Sequence, residues 1–238
     1  MVCRDPILEE NKNYWTDRAP GYSEVNRLEL ATAQRQRWKN CICEELTRRF
    51  PDRPLADLQV LEVGTGPGFF AILLRELGCA VTAIDLTRAM LAEAKENAGP
   101  LADGICFMKM NAEALSFAPE RFDAVISRNL TWNLPHPDRA YAEWTRVLKK
   151  GGEVFLTLCS KETWSFREAG YPRLDGNTVV KTGGGPEDGV PHVFVELDEI
   201  PELFAGFTLL RIRHTDDCWF DGRRQSSKHY FLLARRPL

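Results

Sequence analysis

The chain has 238 residues, 44% hydrophobic and 27% charged, which is ample material for one large core and excludes a disordered protein. Lysine and arginine total 31 against 34 aspartates and glutamates, a net charge of −3, so no general attraction to nucleic acid or to an anionic membrane is built in. No run of about 18 apolar residues is present and the start lacks a basic segment followed by an apolar one, so the expectation is a cytoplasmic protein with no membrane partner.

Residues 23–50 contain neither Gly nor Pro, and Val25, Leu28, Trp38, Ile42 and Leu46 fall near helical spacing, which predicts one long helix. The run LQVLEVGTGPGFF then breaks from an apolar strand into glycines, and FAILLRELG resumes helix until Gly78. CAVTAID reads as a second strand. TRAMLAEAKEN follows as a helix with Met90, Leu91, Ala94 and Ala98 on one face. A weaker third cycle pairs ICFMKM with at most a short helix. FDAVISR is the clearest later strand; the stripe Ala140, Tyr141, Trp144, Val147 and Leu148 marks the next helix, and GEVFLTLC a fifth strand. Strands alternating with helices imply βαβ units and a mostly parallel sheet, because parallel neighbours need crossovers.

After Cys159 the pattern changes. Residues 160–198 are rich in Gly and Pro with little periodicity, and read as an inserted lid. The β-rich runs GFTLLRIRHT and HYFLLARR close the chain and are expected to pair without an intervening helix. The expected organisation is a single domain: a helical cap over residues 1–57, a core over 58–159, a lid over 160–200 and closing strands over 201–238.

Gly64, Gly66 and Gly68 follow a buried strand and open a helix, which lets the backbone turn sharply and admits close approach of a ligand. Amides at the helix start favour an anionic group. Phe69 stands where the dinucleotide fingerprint G-x-G-x-x-G has its third Gly or Ala. Asp85 ends the second strand, 21 residues after Gly64, where a carboxylate accepts both hydrogens of a ribose diol, in NAD or in S-adenosylmethionine. Glu62 beside the loop suits an ammonium group better than a pyrophosphate.

The segments LEVGTGPGFF, AIDLTRAML, MNAEALSF, FDAVISR and RVLKKGGEVFL resemble, in order, the motifs of class I S-adenosylmethionine-dependent methyltransferases, especially the small-molecule branch that includes ubiquinone-biosynthesis methyltransferases. The resemblance spans residues 14–158. It implies a Rossmann-like sheet of seven strands with helices on both faces and a reversed last strand, and S-adenosylmethionine as cofactor. By that resemblance Glu62, Gly64 and Gly66 hold the methionine portion, Asp85 the ribose, and Leu86 and Met90 the adenine. Asn111 stands where the family usually has Asp, with Ala112 facing the ring. Arg128 and Asn129 lie beneath the cofactor and open toward substrate. NYWTDRAPGY resembles the family's N-terminal cap, so Tyr14, Trp15, Arg18 and Tyr22 are expected to close over the site, Tyr14 and Arg18 toward the cofactor and Tyr22 toward the substrate.

Methyl transfer from a sulfonium is an in-line displacement, and a general base matters only where the acceptor must lose a proton. His136 is expected to cap a helix or lie at the surface, and His214 and His229 to be structural. His192, in the lid, is the candidate base. Trp132, Trp164 and Trp219 fall in loops near the carboxyl edge or lid, where rings stack on an acceptor or, as an alternative of equal weight, pin loops to the core. Seven cysteines, an odd number without C-x-x-C spacing, are read as packing residues; Cys41 and Cys43 point to different sides of a helix, and no metal is expected. The arginines at 211, 213, 223, 224, 235 and 236 read as a charged strand face. The partner is thus a small-molecule methyl acceptor, without nucleic acid. The alternatives are an NAD-dependent oxidoreductase, against which Phe69 and the later motifs argue, and a cofactor-binding regulatory protein without catalysis.

Overall fold

The computed structural model describes residues 5–184, 187–220 and 224–238, and the side chains of 217–220, 224 and 225 lie outside that description. Trp219, Arg223 and Arg224 therefore fall outside the described side chains. Among the described residues no helix is long and apolar enough to cross a membrane.

The single helix expected over residues 23–50 is two helices. Helix α1 runs Pro6–Leu30 and α2 runs Ala33–Arg49. The break needs no Gly or Pro. The Thr32 hydroxyl accepts from the Gln34 amide and caps α2, while the Ala31 amide turns back to the Arg27 carbonyl. Helix α1 starts far upstream and carries Pro20 within it. Apart from Ala19, its buried residues are polar. Asn11, Ser23 and Asn26 are buried, whereas Val25 and Leu28, expected on the apolar stripe, are 45% and 63% exposed. Ile42 and Leu46 of α2 do enter the core.

Strand β1 (Gln59–Val63) leads through the glycine loop into α3 (Phe69–Glu76), then β2 (Ala80–Asp85), α4 (Arg88–Ala98), β3 (Ile105–Lys109), β4 (Phe122–Ser127), α5 (Pro137–Val147) and β5 (Leu148–Cys159). The segment expected to form a lid contains α6 (Trp164–Arg167) and a small antiparallel pair, β6 (Thr178–Val180) and β7 (Pro191–Val193). After α7 (Ile200–Leu203), β8 (Thr208–Phe220) and β9 (Arg224–Arg235) close the chain.

The main sheet has seven strands in the order β3-β2-β1-β4-β5-β9-β8. The first five are parallel, and β9 runs antiparallel to both β5 and β8, so the last strand is reversed as expected. All six residues of β4 are buried, as befits a parallel strand covered on both faces.

Alternate residues feed two cores. Leu61, Val63 and Val125 join Tyr141 and Trp144 of α5 and Phe204 near α7 on one face; Val60, Ala124 and Ile126 join α3 and the buried residues of α2 on the other. Trp144 is fully buried and donates its indole hydrogen to the Ala112 carbonyl at 3.2 Å, so its size is gained without an orphaned donor.

Candidate active site

The strand order reverses between β1 and β4, and at that point the carboxyl ends of the strands form a cleft, the usual ligand position in such sheets. Gly64, Gly66 and Gly68 all have positive φ, at 72°, 51° and 94°. The Gly64 and Thr65 amides both donate to the Ile84 carbonyl at 2.9 Å, which ties the loop to the end of β2. A Cβ at Gly64 would lie 2.8 Å from Leu130 Cδ2, and one at Gly66 would face Tyr22 Cε1 at 3.6 Å.

Glu62 is 3% exposed. Burial pushes its carboxyl up to about 8, against the pull of hydrogen bonds from the Thr65 hydroxyl, 2.5 Å away, and from the Ala71 and Phe70 amides. It therefore ties the loop to the start of α3. Asp85 accepts from the Gly66 amide at 3.0 Å through one oxygen and from the Thr87 amide at 2.9 Å through the other. Burial raises its pKa as well, and the Thr87 and Gly66 amides oppose that rise. The Thr87 hydroxyl caps α4 by accepting from the Met90 amide, which seats Met90 in the cleft wall.

Glu62, Gly64, Gly66, Asp85, Met90, Arg128 and Asn129 all line this cleft, whose volume is about 70 Å³. Leu86, Asn111 and Ala112 lie at neighbouring strand ends outside its walls. Asn111 accepts from the Glu113 amide at 3.0 Å, and the Ala112 carbonyl accepts from the Trp144 indole. Trp15, on α1, is a wall residue. Tyr14 packs edge-on against Trp15 at 4.9 Å, and its hydroxyl is hydrogen-bonded to Arg18; both lie outside the walls.

Sequence patterning missed Asn26. It is 6% exposed, lines the cleft, and its side-chain oxygen has no hydrogen-bond partner among the described residues. The available signal was an Asn at a helical position where an apolar residue would face the core.

A second, larger cavity of about 810 Å³ adjoins the cleft. Its floor is one face of β5, β9 and β8, where the registers align Phe155 with Leu233 and Arg211, Thr157 with Phe231 and Arg213, and Cys159 with His229 and Thr215. Residues of α2 and of the segment 163–194 line its other sides. Trp15, Tyr22, Arg128 and Asn129 border both cavities. Asn129 holds φ at 57°, a left-handed conformation costly for a non-glycine residue, and its amide donates to the Thr157 hydroxyl at 2.9 Å. Its side chain is hydrogen-bonded to that of Tyr22, whose pKa is raised chiefly by burial. Arg128 forms a two-pronged ion pair with Glu29 of α1 at 2.5 and 3.0 Å, and its guanidinium lies 4.8 Å from the centre of the Phe69 ring.

His192 is 3% exposed and stacks on Trp132 at 4.0 Å, in the cavity wall. Both ring nitrogens face acceptors: Val190 carbonyl at 2.9 Å and Glu187 Oε2 at 3.1 Å. Both nitrogens are thus engaged by partners within residues 187–192. Burial would raise the Glu187 pKa, but hydrogen bonds from His192 and Lys181 outweigh it and hold the carboxyl at about 2. Trp164 packs against Tyr171 outside the cavity lining. His136 lies before α5 with Nε2 2.8 Å from Asp5. Among the described residues no cluster able to hold a metal exists.

S-adenosylmethionine has an ammonium, a ribose diol and an adenine. The cleft offers carboxyl oxygens at Glu62 and Asp85, an orphaned buried acceptor at Asn26, the apolar Met90, and glycines where a side chain would obstruct. The donor set and the group fit.

Comparisons with known proteins agree. Residues 61–156 match the family model described as "Methyltransferase domain". The ubiquinone/menaquinone biosynthesis C-methyltransferase UbiE of Zymomonas mobilis is 30% identical over 173 residues, 68% of this chain and 72% of that protein. The phosphatidylethanolamine N-methyltransferase of Cereibacter sphaeroides is 39% identical over 102 residues, 41% of this chain and 49% of that protein. In fold, the magnesium protoporphyrin IX methyltransferase of Synechocystis, solved with bound SAH, superposes with a TM-score of 0.66 at 17% identity, covering 97% of this chain and 99% of that one. Motif order, sheet topology and a relative this similar over most of both chains lead to one conclusion: the chain belongs to the class I S-adenosylmethionine-dependent methyltransferases, enzymes that take a methyl group from that cofactor.

Proposed function

We propose that this enzyme methylates a small molecule held in the larger cavity, with S-adenosylmethionine in the adjoining cleft. The observation that carries the reading is the shared wall of Trp15, Tyr22, Arg128 and Asn129, which brings two cavities to one boundary at the end of β4. In-line displacement needs donor and acceptor on opposite sides of such a boundary, and alignment supplies much of the acceleration. The bound cofactor supplies an electrophilic methyl group. Glu62 and Asn26 accept from its ammonium, Asp85 from the ribose hydroxyls, and Met90 packs on the adenine. Leu86, Asn111 and Ala112 complete the adenine end. Asn129 and Tyr22 face the acceptor, and residues 160–200 act as the lid, with residues 1–57 as the cap. His192 fixes the lid by stacking on Trp132, while its two nitrogens bond Val190 and Glu187 within the same segment. The relatives named for ubiquinone and magnesium protoporphyrin IX support a small-molecule acceptor.

Calorimetry with S-adenosylhomocysteine and with NAD tests the cofactor site. Tight binding of the first and none of the second is expected. Asp85→Asn should weaken S-adenosylhomocysteine by ~1.5–3 kcal/mol, the scale of hydrogen bonds to a charged group. Preference for NAD, or an unchanged affinity in the variant, would overturn the assignment.

A further inference from the structure

The larger cavity is positively charged although the chain as a whole carries −3. Five cationic side chains border it, Arg37, Arg128, Lys181, Arg211 and Arg213, against three carboxylates, Glu29, Glu45 and Glu187. Each carboxylate is already taken: Glu29 by Arg128, Glu187 by Lys181, and Glu45 by Arg211 as well as by Arg48. Among the described residues, Arg37 on α2 and Arg213 on β8 have no carboxylate partner. They stand on the roof and the floor of the same cavity.

Between these arginines and the cofactor cleft the cavity is aromatic. Trp38 lies 5.1 Å from Phe231 and 6.4 Å from Phe155, and Phe231 is the strand partner of Arg213. Arginine forks match carboxylate and phosphate oxygens, and flat apolar walls accept a ring or a conjugated body.

We infer that the methyl acceptor is an organic acid. Its carboxylate or phosphate is held by Arg37 and Arg213, and its aromatic body lies along Trp38 and Phe231, leading to Tyr22 and Asn129. This rests on the methyl-transfer reading above and adds the chemical class of the acceptor.

The test uses three probes sharing one ring system, 2-naphthoate, 2-naphthyl phosphate and the neutral 2-naphthamide, titrated against the full chain by calorimetry with and without saturating S-adenosylhomocysteine. At least one acid should bind tenfold or more tightly than the amide, and which acid does so separates carboxylate from phosphate. In the double variant Arg37→Gln/Arg213→Gln the preference should fall below threefold, with S-adenosylhomocysteine affinity unchanged. Both arginines are exposed, so folding should survive, and a thermal melt verifies it. Equal binding of acid and amide, a preference that persists in the double variant, or no binding of any probe overturns the inference. Loss of S-adenosylhomocysteine binding in the wild type instead overturns the methyl-transfer reading, while the probes titrated alone still report on the arginines.

Discussion

Asn26 shows how a residue can cost stability and still belong. A buried acceptor without a partner costs roughly 1–3 kcal/mol, and a ligand that donates to it relieves the penalty only when bound. Asn26→Leu should therefore leave the melting temperature equal or higher while weakening S-adenosylhomocysteine; unchanged affinity would remove Asn26 from the cofactor site. Glu62 makes a second case. The unfolded chain ionises this carboxyl near 4.5, whereas the folded chain keeps its proton up to about 8. The folded state binds more protons within that window, so the stability this group contributes is complete below 4.5 and is lost as pH rises through 8. A cofactor ammonium beside it favours the ionised form, so binding at pH 7 should release a proton. Calorimetric heats should then differ between phosphate and Tris buffers, and Glu62→Gln should abolish the difference; buffer-independent heats in the wild type would separate Glu62 from the ammonium. That the glycines, Glu62 and Asp85 meet at one cleft was legible because their spacing relative to a strand end is local. The place of Asn26 in its wall was not, because it depends on a helix folding back across the sheet from another part of the chain.

At the scale of elements, the glycine loop depends on close packing against α4. Gly68, at φ 94°, opens α3, and an added Cβ would meet Ala94 Cβ at 3.1 Å and Ala94 Cα at 3.2 Å. Backbone cannot swing aside as a side chain does. Gly68→Ala should thus cost about 1–3 kcal/mol from the left-handed conformation alone, lowering the melting temperature by about 2–4 °C for each kcal/mol in a chain of this size. An unchanged melt would mean that the loop leaves the left-handed conformation at this position and that α4 gives way. Strands and helices from Gln59 to Cys159 could be read from alternation and turn residues. Helix α1 was misread for a definite reason. Patterning assumes that a helix buries its apolar side, and α1 turns Asn11, Ser23 and Asn26 inward, leaving Val25 and Leu28 in solvent. Its polar contacts explain the inversion: Asn97 donates to Ser23 and to the Pro67 carbonyl, both at 3.0 Å, and Trp15 donates to Asn133 at 2.8 Å. The pair β6 and β7 escaped detection because three-residue strands carry too little alternation to register.

For the whole molecule, the reversed β9 and its long neighbour β8 extend the sheet beyond the cofactor half and build the second cavity's floor. Arginines that in the sequence looked like an alternating charged strand divide into two groups. Arg235 pairs with Glu153 and Arg236 with Glu120, while Arg211 and Arg213 turn toward the cavity. Period-two alternation fixes which residues share a face, and only the register with β5 tells which face is hollow. Helix α1 has a consequence at the same scale. Trp15 and Tyr22 belong to the walls of both cavities, and Glu29 fastens the helix to Arg128 between them. Any coupling carried by a wall common to two compartments is reciprocal: by whatever factor a ligand in the cleft changes the affinity of the larger cavity for its own ligand, that ligand changes the affinity of the cleft by the same factor.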